Sequence, residues 1–197
     1  MNSHETETGA EFITPTHLRH IMRYVTASKY LESDDDILDA ACDVGYGSNI
    51  LVQHCRSVVG LDMSPDALEY ANANYAHDRI LFRKQNLTES WECGPPKDKI
   101  VSVETIEHMP LSDVGIYAYL ENMRKHLKHN GLFIVTTPYC KETGPSPITK
   151  QHLCEFQLGE FVELLQSRGF GQVTIVANPH PGQAGRLGYA TAIARKR

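Results

Sequence analysis

Ile37-Leu-Asp-Ala-Ala-Cys-Asp-Val-Gly-Tyr-Gly-Ser48, read on to Val58-Val-Gly-Leu-Asp62, decides how the chain folds. Ile37 to Cys42 is a short apolar run entered from the acidic Asp34-Asp35-Asp36. That is the pattern of a strand buried on both faces of a parallel sheet, and it predicts the central strand. Asp43-Val-Gly45-Tyr-Gly47 then turns the chain, because glycine tolerates positive φ and leaves no Cβ between backbone and ligand. Ser48 is the expected cap of a helix running to about Cys55. A second apolar strand, Ser57 to Leu61, ends in Asp62, followed by Met63. An acid about 20 residues beyond such a turn stands where it can accept hydrogen bonds from both hydroxyls of a ribose. A dinucleotide would require Gly-x-Gly-x-x-Gly to seat its pyrophosphate, and Asn49-Ile50 after Ser48 do not supply it. A pyrophosphate would also be repelled by Asp43, so the turn suits a cationic nucleoside cofactor.

Working outward, Ser64-Pro65 starts a helix through Ala71 to about Tyr75, with serine as cap and proline at the first helical position. Ile80 to Gln85 reads as a third strand, Lys99 to Val103 as a fourth, and Leu132 to Thr136 as a fifth. A helix over 112–128 precedes the Asn130-Gly131 turn. Phe156 to Arg168 reads as an amphipathic helix, and 172–177 and 188–194 as two last strands joined by a connector over 179–185. Before all of these, Thr14-Pro15-Thr16 introduces a helix whose Leu18, Ile21, Met22, Val25 and Tyr30 form one apolar face, and this helix is expected to lie across the cofactor site.

Leu38-Asp-Ala-Ala-Cys-Asp-Val-Gly-Tyr-Gly-Ser48 resembles motif I of class I S-adenosylmethionine-dependent methyltransferases. Val58 to Tyr70 and Val101-Ser-Val-Glu-Thr-Ile-Glu-His-Met109 resemble two further motifs of that family. The resemblance implies an α/β, Rossmann-like, seven-stranded sheet in the order 3-2-1-4-5-7-6 with helices on both faces. It implies one methyltransferase domain over 14–197 behind a disordered tail over 1–13. S-adenosylmethionine would rest on Cys42, Asp43, Gly45, Gly47, Asp62, Met63, Asn86, Leu87 and Glu104. Arg23, in a His-x-x-Arg-Tyr pattern formed by His20, Arg23 and Tyr24, would bind the methionine carboxylate; a solvated helix face is the alternative. Asn86 would receive the adenine amino group, with a turn asparagine as the alternative. Asp43 departs from the family, which has glycine there.

Strand ends deliver Glu104, Glu107 and His108 to the same sheet edge as the turn, and the Gly- and Pro-rich segment after Thr137-Pro138-Tyr139 leads to His152. Methyl transfer from a sulfonium requires an oriented acceptor and, for a hydroxyl, a proton acceptor. His108 is the expected general base, with Glu104 and His152 beside it; the structural alternative is that Glu107 and His108 anchor a helix start and that His152 and Glu155 pair to hold down the loop. Glu104, Glu107, His108 and His152 also resemble a divalent-metal set of small-RNA 3′-terminal 2′-O-methyltransferases and of ubiquinone-pathway O-methyltransferases. Three functions therefore stand open: O-methylation of a small molecule such as a sugar, metal-dependent 2′-O-methylation of an RNA 3′ end, and cofactor or product binding without catalysis.

Among the 197 residues 41% are hydrophobic and 22% charged, which suits a globular chain. A net charge of −5 argues against a broad duplex-binding surface and favours a small acceptor. Five cysteines without a Cys-x-x-Cys pair indicate neither a disulfide framework nor a zinc knuckle, which points to a reducing cytoplasm. No apolar run reaches the roughly 20 residues of a membrane span. Oligomeric state leaves no mark in the letters.

Overall fold

The computed structural model describes residues 15–197 except 93, 147, 184 and 185; the side chains of 15–17 and 180–183 also fall outside the description. The tail expected over 1–13 and the Thr14 cap lie outside the described residues. Strands β1 (Asp36–Ala40), β2 (Ser57–Asp62), β3 (Ile80–Lys84), β4 (Lys97–Val103), β5 (Leu127–Cys140), β6 (Phe170–Gln183) and β7 (Arg186–Lys196) form one sheet in the expected order β3-β2-β1-β4-β5-β7-β6. The first five run parallel, and β7 and β6 close the sheet as an antiparallel hairpin.

The apolar run of β1 separates two cores, because successive strand residues face opposite sides of the sheet. Leu38 and Ala40 join Ile100, Phe133 and Val135 under α4 (Ile116–His126) and α5 (Leu158–Ser167). Ile37, Val58, Val101 and Ile134 join Tyr24 and Ala27 of α1 (Pro15–Ser28) and Leu51 of α2 (Tyr46–Leu51) on the other side. The remaining helix, α3 (Pro65–Asn74), is capped by Ser64 as expected, whose hydroxyl accepts from the Ala67 N–H at 3.2 Å.

Four local expectations change. Ser48 does not cap α2: Gly45 is the cap residue, and the Ser48 hydroxyl instead donates to Asp39 at 2.6 Å. The helix expected from Ser112 begins at Ile116, because the Pro110 carbonyl accepts from both Ser112 and Ile116 and holds the intervening residues in a turn. The Asn130-Gly131 turn lies inside the long β5, where Asn130 takes φ +63° and the pairing with β4 shifts register between Lys97 and Lys99. On α1 the predicted apolar face packs only in part: Ile21 and Val25 are half-buried and Tyr30 packs against the core, but its other members stay outside. Leu18 and Met22 are 53% and 54% exposed, while Arg23, Tyr24, Ala27 and Ser28 are buried. The cause is polar: Tyr24 reaches Asp39 at 3.1 Å and Arg23 pairs with Glu104, which rotates that face inward.

Candidate functional site

The turn after β1 is built from backbone geometry. Ala41, Asp43 and Gly45 all have positive φ, at +67°, +48° and +88°. Gly45 has no substitute, since a Cβ there would stand 2.7 Å from the Ala71 methyl and 2.9 Å from the Phe82 ring, in a conformation that side chains rarely adopt. A Cβ on Gly47 would stand 2.1 Å from Cζ of the Tyr24 ring, so the glycine is what lets α1 rest on the turn. Aspartate is among the few residues that enter the left-handed region readily. Asp43 therefore keeps the turn that glycine would make, and its N–H donates to Asp62 Oδ2 at 3.0 Å. Asp62 Oδ1 accepts from Ser64 N–H at 2.9 Å, so the acid is locked at the tip of β2 with lone pairs left for further donors. Cys42 is 1% exposed and its thiol is pushed up by burial; Met63 is 67% exposed.

Beneath the turn sits a residue that the sequence reading passed over. Asp39 is fully buried in β1, where it accepts from the Tyr24 hydroxyl and the Ser48 hydroxyl. Burial outweighs these bonds and pushes its carboxyl up to about 7. An acid inside an apolar strand was the available signal.

At the end of β4, Glu104 takes φ +51°, and its N–H donates to Thr136 of β5. Glu104 Oε1 accepts from the Thr136 hydroxyl at 2.9 Å and lies 3.3 Å from Arg23 Nε. Burial raises the Glu104 carboxyl, opposed by Arg23 and the Thr136 bond. The Arg23 guanidinium lies 3.9 Å from the centre of the Tyr189 ring, and its Nη1 is buried without a hydrogen-bond partner among the described residues. A buried guanidinium N–H of this kind fits a ligand carboxylate. Asn86 makes an Asx-type turn instead: its side-chain oxygen accepts from the Thr88 N–H and hydroxyl, and its amide donates to Glu89. Leu87 is core, 6% exposed.

Past Glu104, a 3-10 turn, Ile106–His108, carries the next group. Glu107 is fully buried, with Oε1 unpartnered among the described residues and Oε2 3.4 Å from the Thr137 hydroxyl; burial pushes its carboxyl well up. Its carbonyl accepts from Leu153 and Cys154, which ties the turn to the segment bearing His152. The His108 and His152 rings meet edge to face at 4.8 Å between centroids. His108 Nδ1 is 3.1 Å from the Gln151 carbonyl, and His152 Nδ1 is 2.8 Å from Glu155 Oε1. Donor atoms of Glu107, His108 and His152 lie within 4.8 Å of one another. Glu104, the fourth residue of the expected metal set, is outside this trio and pairs with Arg23 and Thr136, although its charge still acts on Glu107. The trio has the donor types a divalent cation needs, though atoms as much as 4.8 Å apart must draw together to hold one: Glu107 supplies an unsatisfied buried oxygen, and each imidazole has Nδ1 against an acceptor, with the Arg186 guanidinium also beside that of His152. Tyr139, expected to face the acceptor, is 7% exposed, with its ring 2.9 Å from where a Cβ on Gly188 would stand.

Residues 37–131 match the sequence profile of a methyltransferase domain family. These residues form an S-adenosylmethionine-dependent methyltransferase domain. A probable S-adenosylmethionine-dependent methyltransferase of Mycolicibacterium smegmatis is 30% identical over 138 residues, 68% of this chain and 51% of the relative. The ubiquinone biosynthesis O-methyltransferase of Rickettsia akari is 27% identical over 128 residues, 64% of this chain and 49% of that protein. The chain thus spans about half the length of the curated relatives it matches. The N-methyltransferase NodS of Bradyrhizobium japonicum, solved with S-adenosyl-L-homocysteine, superposes with a TM-score of 0.72 at 16% identity over 93% of this chain and 88% of that one, and shares the fold. No described helix is long and apolar enough to cross a membrane.

Proposed function

We propose that this methyltransferase domain transfers the methyl group of S-adenosylmethionine to a hydroxyl oxygen of a small acceptor, a sugar or related metabolite. The observation that carries the reading is the His108–His152 pair, with the orphaned Glu107 oxygen beside it, at the sheet edge where the glycine turn opens. The sulfonium is a good leaving group, so the chain's task is to align the acceptor and take its proton. Asp62 would receive the ribose hydroxyls, and the buried Arg23 the methionine carboxylate, with Glu104 holding Arg23 in place. His108 would accept the hydroxyl proton, as an imidazole suits a base working near neutral pH. Similarity to an O-methyltransferase supports oxygen as the acceptor atom.

One observation favours a second, metal-assisted reading of the same transfer, as in the RNA 3′-end enzymes. Glu107, His108 and His152 would hold a divalent cation, which lowers the pKa of a bound hydroxyl. Binding without catalysis gains less support, because Asp43 preserves the turn and a base cluster follows the neighbouring strand at the same sheet edge.

Release of S-adenosylhomocysteine, measured over a panel of small hydroxylated acceptors with and without EDTA, separates these readings. Turnover that persists in EDTA and is lost in His108→Ala supports the main one. Turnover that EDTA abolishes and Mn²⁺ restores supports the second. Methylation confined to amines contradicts the choice of oxygen.

A further inference from the structure

Glu155 and Arg186 form an ion pair that the preceding reaction does not use. Glu155 is fully buried and Arg186, the first residue of β7, is 8% exposed. Arg186 Nη2 contacts Glu155 Oε1, and the same oxygen lies 2.8 Å from His152 Nδ1. Fastening the loop does not require this pair. Glu155 already exchanges two backbone hydrogen bonds with Gly144, at 2.8 and 3.0 Å, and Glu107 O accepts from Leu153 and Cys154. A buried ion pair contributes little net stability, because desolvation offsets the attraction, so a second purpose is indicated.

We infer that Glu155, anchored by Arg186, is a positioning residue that holds His152 in the Nδ1–H tautomer, leaving Nε2 as its lone-pair nitrogen. This rests on the reading above, in which His152 works at the acceptor or its metal. Two contacts compete for Nδ1, since Arg186 Nη2 also lies 3.0 Å from it. If Arg186 donated to Nδ1, the imidazole lone pair would face a carboxylate oxygen at 2.8 Å, and two electron-rich atoms would repel. A carboxylate beside a guanidinium accepts only, so Oε1 takes one hydrogen bond from Arg186 and one from the Nδ1–H, and the Arg–His approach follows from sharing that acceptor. Nε2, separated from Nδ1 by Cε1, is then the nitrogen with a lone pair to take a proton or bind a cation. Neither Glu155 nor Arg186 touches the reacting atoms in this account; both act through His152.

Long-range ¹H–¹⁵N spectra of the imidazoles read the tautomer directly, with no acceptor needed. They are recorded above the titration of the rings, and the His152 signals are assigned by their loss in His152→Gln. The wild-type protein is expected to show Nδ1–H for His152. Glu155→Ala shifts the ring toward Nε2–H while binding of S-adenosylhomocysteine is retained, and Glu155→Gln, whose amide oxygen still accepts, keeps Nδ1–H. An Nε2–H tautomer in the wild type overturns the inference, whether or not any variant folds; so does an unchanged tautomer in a folded Glu155→Ala. Once an acceptor is in hand, Glu155→Ala is expected to slow transfer by roughly 10- to 100-fold. It should have no further effect in a His152→Ala background. Failure to find any acceptor would count against the proposed reaction and leave the tautomer result standing.

Discussion

The two halves of the site are held by different means. The cofactor side is local: Ala41, Asp43 and Gly45 with positive φ, backbone N–H groups of Asp43 and Ser64 on Asp62, and Tyr24 laid on Gly47. The acceptor side is assembled across the chain, with Glu107 tied to Leu153, His108 to Gln151, and His152 to Glu155 and through it to Arg186. A turn made of backbone conformation tolerates changes of chemistry that keep the conformation. A cluster made of side chains loses its function with one atom and keeps its fold.

The largest effect is expected on the side-chain half. His108→Ala should lower methyl transfer by roughly 10²- to 10⁴-fold, the usual contribution of a general base, while S-adenosylhomocysteine binds as before. Calorimetry beside a rate assay reads both; weakened cofactor binding would show that the halves are not separable.

Gly45→Ala attacks the other half. The new Cβ meets Ala71 and Phe82 at 2.7 and 2.9 Å in a left-handed backbone. Conformational strain and overpacking together should cost about 3 kcal/mol and remove cofactor binding. In a chain of this size that is a fall of roughly 6–12 °C in melting temperature.

Asp39 sharpens the comparison through pH. Its folded-state value, near 7, lies above the ordinary aspartate value near 4. The folded state therefore binds the extra proton between these limits, and the contribution is present below about pH 4 and lost as pH rises through about 7. Asp39→Asn keeps an acceptor for Tyr24 or Ser48 without the charge. It should match the wild type near pH 4 and exceed it by roughly 2–4 kcal/mol at pH 8. Melting curves across that range check it, and equal slopes for the two proteins would contradict it.

Asp43→Gly should do least. Asp43 already adopts the conformation that glycine allows, so stability should shift by about 1 kcal/mol or less. Affinity for S-adenosylmethionine should stay within about threefold, which is under 1 kcal/mol. A large gain in affinity would mean that the carboxylate obstructs the site.

The same division explains what the letters disclosed. β1, its turn, Asp62 and the Ser64 cap were legible because strand burial, positive φ and capping are each carried by neighbouring residues. The strand order followed from the resemblance to methyltransferases and was met in full. The inward face of α1 was misread in part because apolar spacing ranks Leu18 and Met22 above Arg23 and Tyr24, and only their partners Glu104 and Asp39 reverse that order. Glu104, Glu107, His108 and His152 stood out as chemistry. That Glu104 would face Arg23 while Glu107 stayed with the histidines depends on Thr136 and on the 3-10 turn, which no spacing reveals. Arg186 and Tyr189 carry no local signal at all; β7 brings them in from the far end of the chain.

The most direct test of the central claim is calorimetric titration with S-adenosylmethionine and S-adenosylhomocysteine, each with and without EDTA, on the wild type and on His108→Ala and Gly45→Ala. A cofactor half built on the glycine turn predicts micromolar binding of both ligands, indifferent to EDTA and to the loss of His108, and absent in Gly45→Ala. Absence of binding in the wild type, or binding that disappears with EDTA or with His108, would contradict it.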